Sequence, residues 1–143
     1  MANETATKFG HPQTLIASYT HWSVLLRMQQ VTLGSLVLVA NSDETRFSDL
    51  APAAFAELQE VVSDIETALG KTFEYDKINY LMLMMVDPNV HFHVIPRYSS
   101  ERSACGLTSL DAGWPKTPAL GEFVEPSTDQ ARELIELIKS NWG

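Results

Sequence analysis

At 143 residues the chain is long enough to build a core without metal or disulfide staples, and one domain is the expectation. An apolar content of 45% with 20% charged residues is that of a soluble globular protein, and no apolar run approaches a membrane span. The net charge of −8 excludes a general nucleic-acid binder, which needs clustered Lys and Arg, but leaves room for a small nucleotide in a local pocket. Cys105 is the sole cysteine, so no internal disulfide can form and a reducing compartment is expected. The polar start Ala2-Asn3-Glu4-Thr5 is unlike a signal peptide, and the expected location is cytoplasmic.

Residues 1 to 10 read as a flexible tail ahead of one domain spanning residues 11 to 143. His21 to Arg27 and Ser35 to Ala40 are strand candidates, with a turn at Gly34. A polar linker from Asn41 to Asp49 leads into a helix with Pro52 in its first turn. Along it Phe55, Leu58, Val62, Ile65 and Leu69 recur at spacings of three and four as one apolar stripe, and Gly70 is the expected stop. Ile78 to Met85 is apolar on both faces, as a central strand covered on two sides would be. Asp87-Pro88 then signals a tight turn, and Val90 to Tyr98 returns antiparallel beside it. Ser99 to Pro126 mixes glycines, prolines and polar residues without a period and is expected to be loop. Ser127 with Gln130 three residues on forms a capping box, opening a C-terminal helix that buries Ala131, Leu134, Ile135 and Ile138. Together these elements describe an α+β fold.

Chemistry concentrates in Asp87-Pro88-Asn89-Val90-His91-Phe92-His93-Val94-Ile95-Pro96-Arg97-Tyr98, which holds two of the four histidines. Strand side chains alternate faces, so His91 and His93 point one way while Val90, Phe92 and Val94 point the other. Two imidazoles side by side on a strand can bind or attack something anionic.

The pattern Asn89-x-His91-x-His93-x-x-Pro96-Arg97 resembles the signature of the histidine triad (HIT) family, His-x-His-x-His followed by apolar residues. The most similar branch is the diadenosine polyphosphate hydrolases, where Pro-Arg follows the triad. Phe47-Ser48-Asp49-Leu50-Ala51-Pro52 resembles the segment leading into that family's main helix, and Val31 to Leu38 its glycine turn and following strand. Asn89 stands where the first histidine belongs. Only Val86-Asp87-Pro88 separates the motif from an apolar run, where the family carries an Asn-x-Gly-x-x-Gly-Gln loop that holds phosphate.

The resemblance implies a HIT-like antiparallel sheet of about five strands with a main helix and a C-terminal helix. It also implies a homodimer and a small-molecule nucleotide substrate, a dinucleoside polyphosphate or nucleoside phosphoramidate, with no cofactor, metal, nucleic acid or membrane partner. His91 corresponds to the nucleophile, which attacks an α-phosphorus and carries the nucleotidyl group until water releases it. Imidazole suits this work because its ordinary pKa lies near neutrality. A backbone carbonyl holds the ring's other nitrogen, and any residue at position 89 provides one, so restoring histidine there is expected to raise activity or leave it unchanged. His93 corresponds to a donor near the phosphate or leaving group. Arg97 adds charge or serves structure, while Arg27 and Gln29 fall where the family contacts ribose or base.

Two other readings compete with hydrolase or transferase activity. One is a nucleotide-binding or interaction protein that kept the fold without turnover. The other is a metal-binding His-x-His protein, which would need a third ligand brought by folding from His11, His21, Asp87 or Glu101.

Overall fold

The computed structural model describes residues 2–143. Five strands, β1 (Leu15–Ser18), β2 (Trp22–Leu26), β3 (Leu36–Ala40), β4 (Lys77–Leu81) and β5 (His91–Arg97), form one antiparallel sheet in the order β1-β2-β3-β5-β4. A short hairpin, β6 (Arg102–Ala104) and β7 (Leu107–Ser109), stands apart as a second sheet. Among the described residues three α-helices, α1 (Glu4–Lys8), α2 (Pro52–Phe73) and α3 (Thr128–Ser140), and a 3-10 turn at Phe47–Asp49 complete the fold. Among the described residues no helix is long and apolar enough to cross a membrane.

Every residue of β2 and β3 is buried, because the sheet is covered on both faces. On one face Trp22, Val24, Leu36 and Leu38 meet Val61, Ile65 and Leu69 of α2 and Leu134 and Ile138 of α3. Trp22 keeps its indole satisfied there by donating from Nε1 to the Ala54 carbonyl at 2.8 Å. On the other face Leu25, Val37 and Val39 form a smaller apolar cluster with Ala6 of α1, and Phe9 and Leu15 pack against it. The helix α3 starts as the sequence indicates, with Ser127 and Gln130 closing a capping box and Ala131, Leu134, Ile135 and Ile138 buried.

Several expectations are corrected. Residues 3 to 10 are not a loose tail: Asn3 caps α1 and its side-chain amide donates to the carbonyls of Ala40 (2.7 Å) and Ser42 (2.9 Å), tying the helix to the end of β3. The helix α2 runs past Gly70 to Phe73 and ends at Glu74 in the left-handed region, φ 50°. Phe73 is drawn in because its ring packs over Gly34, where φ is +90° and an added Cβ would lie 2.8 Å from the ring. The buried stripe of α2 is accordingly Ala54, Val61, Ile65, Ala68, Leu69 and Phe73, while Phe55 is 41% exposed.

The apolar run after Ile78 is not a central strand either. Only Lys77–Leu81 is strand, β4 lies at the sheet edge, and Leu83, Met85 and Val86 are exposed. The link from β4 to β5 is a long excursion through Met84, φ 54°, rather than a tight turn at Asp87-Pro88. Within the segment expected to be loop, Cys105 and Gly106 both have positive φ and close the β6–β7 hairpin in two residues.

Candidate functional site

The central position of β5, between β3 and β4, places the histidine pair on the sheet face covered by α1. His91 lies opposite Val39 and His93 opposite Val37, so the rings rise from an apolar floor. Both are buried, at 2% and 7% exposure, and their rings stand nearly perpendicular with centroids 5.1 Å apart.

The two imidazoles are held in complementary tautomers. His91 Nδ1 lies 2.7 Å from the Asn89 carbonyl oxygen. A carbonyl can only accept, so Nδ1 carries a hydrogen and Nε2 is the one place on this ring for a lone pair. His93 Nδ1 instead accepts from Arg27 Nε–H at 3.3 Å, which leaves its hydrogen on Nε2. The two rings thus differ at Nε2: a place for a lone pair on His91, an N–H on His93. Burial, then the Arg27 charge, then His91 push the His93 pKa down to about 4, against a smaller opposing pull from Asp87. His93 is neutral at neutral pH.

Arg27 is positioned by the turn that follows β2. It donates from Nη1 to the Gln29 carbonyl at 2.7 Å. Buried Gln30 braces the same turn, donating to the carbonyls of Arg27 and Ser35 and accepting from Gly34 N–H. Backbone pairing of Gln30 with Val124 holds the segment after the hairpin against this turn. Burial lowers the Arg27 pKa, but a guanidinium retains its charge. Arg27 and exposed Gln29 both line a cleft of about 500 Å³ that opens beside His93, with Phe9, Met28 and Val86 as apolar walls and Lys8 at its edge.

Two residues expected to bind substrate are otherwise engaged. The Asn89 side chain accepts from Thr5 N–H (3.1 Å) and donates to the Asp43 carbonyl (3.1 Å), and its own N–H donates to Thr5 Oγ1 (2.9 Å). It is a 5% exposed anchor for α1; only its carbonyl serves the site. A histidine at 89 would keep that carbonyl but lose the Asn89 side-chain bonds to Thr5 and Asp43. Arg97 points its guanidinium at Asp111, with Nε–Oδ2 at 2.7 Å and Nη2–Oδ1 at 3.0 Å, and gives Nη1 to Asn79 at 2.8 Å. The pair is buried, and four residues of strand, roughly 13 Å, separate Arg97 from His93. It pins the segment after β7 to the sheet rather than facing the cleft.

Conversely, Phe9, Lys8 and Thr5 approach the site without any local signal in the sequence. The Phe9 ring sits 6.0 Å from that of His91 and 5.8 Å from that of His93. Lys8 pairs with Asp87 across the mouth of the cleft. Among the described residues no three His, Cys, Asp or Glu converge as a metal site.

A five-stranded antiparallel sheet bearing a strand-borne His-x-His pair, its first ring held by the carbonyl two residues back, defines the histidine triad architecture. The HIT domain family model matches residues 9–100, and the chain belongs to the HIT family, whose members bind nucleotides. Among solved structures, a histidine triad protein of Sinorhizobium meliloti is 22% identical with a TM-score of 0.76, covering 99% of this chain and 96% of that one. One from Bradyrhizobium japonicum is 19% identical with a TM-score of 0.74, covering 100% and 98%. A hypothetical histidine triad nucleotide-binding protein of Sulfolobus tokodaii is 16% identical with a TM-score of 0.67, covering 90% and 82%. These likenesses carry the fold. No curated protein matches the chain.

Proposed function

We propose that this protein is a nucleotide hydrolase or nucleotidyl transferase acting through a covalent nucleotidyl-His91. The substrate class is a dinucleoside polyphosphate, as in the diadenosine polyphosphate hydrolase branch, or a nucleoside phosphoramidate. The observation that carries the reading is the 2.7 Å bond from His91 Nδ1 to the Asn89 carbonyl, which frees Nε2 as the nucleophile. Nε2 attacks the α-phosphorus, forming a P–N bond as the bond to the leaving group breaks. His93 Nε2–H donates its hydrogen bond to the leaving group or a phosphate oxygen. Water then attacks the same phosphorus, the P–N bond breaks, and a nucleoside monophosphate leaves with His91 regenerated. The phosphate-holding loop of the family is absent from the sequence before Asn89, and the Arg27 guanidinium at the cleft is the charge available in its place.

The apolar residues exposed beside the edge strand β4 support assembly as a homodimer, and a chain with one cysteine suits the reducing cytoplasm. Nucleoside monophosphate release and trapping of a phosphorus–nitrogen adduct test the mechanism. His91→Ala is expected to abolish both while leaving the fold and some nucleotide binding. His93→Ala is expected to slow turnover less completely, because a donor is lost and not the bond-forming atom. Turnover by His91→Ala at the wild-type rate would remove the mechanism. Binding without adduct or turnover in the wild type would favour the binding-protein alternative.

A further inference from the structure

The residue at the triad's first position has been given a different task. Asn89 exchanges two hydrogen bonds with Thr5, through Thr5 N–H to Oδ1 and Asn89 N–H to Oγ1, across 84 residues of sequence. Lys8 adds an ion pair to Asp87, and Asn3 ties the start of α1 to the carbonyls of Ala40 and Ser42. Three separate attachments therefore fix a helix of only five residues, far below the length at which a helix is stable alone. What they fix in place is Phe9, the residue that ends α1, whose ring lies against both imidazoles. Gly10 follows at φ +91°, with no room for a Cβ against Thr14, so the chain turns away directly behind the ring.

We propose that Phe9 is a specificity-determining wall of the histidine site, locked by Asn89, which restricts by the size of the leaving group which substrates can bring their α-phosphorus to His91. The same ring forms one side of the cleft that Arg27, Met28 and Gln29 line, and this cleft opens on His93, the neighbour of His91. Its chemistry, an apolar ring and a thioether beside a guanidinium, suits a ligand with one flat apolar part and one anionic part. A compact leaving group passes such a wall more readily than a second nucleotide.

This rests on the nucleotidyl-transfer reading above, so two readouts are combined. The first is substrate selectivity in wild type and Phe9→Ala, comparing an adenosine phosphoramidate whose leaving group is ammonia with a diadenosine polyphosphate. Phe9→Ala is expected to raise kcat/KM for the dinucleotide relative to the phosphoramidate by roughly tenfold. A general loss of folded protein would lower both alike, and an unchanged ratio overturns the proposal. The second readout needs no turnover: carbethoxylation of each histidine by diethyl pyrocarbonate, followed by mass spectrometry. His91 is expected to react roughly tenfold faster in Phe9→Ala, and faster also in Asn89→Ala and Thr5→Val, while distant His21 keeps its rate. Equal rates at His91 in wild type and Phe9→Ala overturn the wall whatever the nucleotide assays give. Faster carbethoxylation in a protein that turns over no nucleotide upholds the wall and rejects the nucleotidyl-transfer reading.

Discussion

The division of labour between His91 and His93 is set by what each Nδ1 touches: a carbonyl in one case, a guanidinium N–H in the other. Arg27 therefore acts on His93 in two ways, fixing its tautomer and opposing its protonation. Replacing Arg27 by Met removes the second-largest cause of the depressed His93 pKa, leaving burial as the main one. The His93 ring titration, followed by NMR of its Cε1–H, is expected to move up from about 4 toward 6.5 without reaching it. The same shift has a consequence for stability. Between pH 6.5 and about 4 the unfolded chain takes a proton at His93 that the folded chain refuses, so this residue makes the fold less stable as pH falls through that window. Urea midpoints measured across it should fall less steeply in Arg27→Met than in wild type, and an identical slope would mean that the cation does not act on the imidazole.

At the scale of elements, the most consequential attachment is the one that Arg97 makes. Its pairing with Asp111, both side chains at or below 5% exposure, joins β5 to the segment after β7, and Asp111 also accepts from Tyr98 N–H at 3.2 Å. Removing one member of a buried pair leaves the other charge without compensation, so Asp111→Ala is expected to cost about 3–5 kcal/mol in urea unfolding. In the folded fraction of that variant, the kcat/KM for nucleotide should stay near wild type, because the pair stands away from the cleft. The sequence left Arg97 between adding charge and serving structure, because strand alternation cannot convey a partner 14 residues downstream. Elements with a regular period were legible for a related reason. The His-x-His strand, the capping box at Ser127 and the body of α2 each announce a face or an end through residues close in sequence. Those that were missed depend on distant contacts. The helix α1 is fixed by Asn89, Asp87 and the carbonyls of Ala40 and Ser42, all distant in sequence, and the end of α2 is displaced by Phe73 packing on Gly34. The β6–β7 hairpin carried a local sign in Cys105-Gly106, but strands of three residues are too short to show alternation.

For the whole molecule, the edge of the sheet at β4 is the feature that bears on assembly. β5 covers one side of β4, and among the described residues no strand pairs with the other side, the arrangement that invites a further strand. Immediately beyond it Leu83, Met85 and Val86 are 47%, 85% and 80% exposed, a cluster that an isolated chain gains nothing by holding in water. The same run looked like a buried strand in the sequence because its composition is that of an interior. A second copy related by a two-fold axis would satisfy both features at once, placing two β4 edges and two apolar segments against each other in a self-complementary contact. Val86 also lines the cleft, so such a contact would lie next to the histidine site. Light scattering at micromolar concentration is expected to give twice the 15.9 kDa mass of the chain. Met85→Glu combined with Val86→Lys should yield the monomer with an unchanged circular dichroism spectrum, since neither side chain contributes to the core. A wild-type protein that scatters as a monomer would leave the edge of β4 without a second copy and remove the dimer.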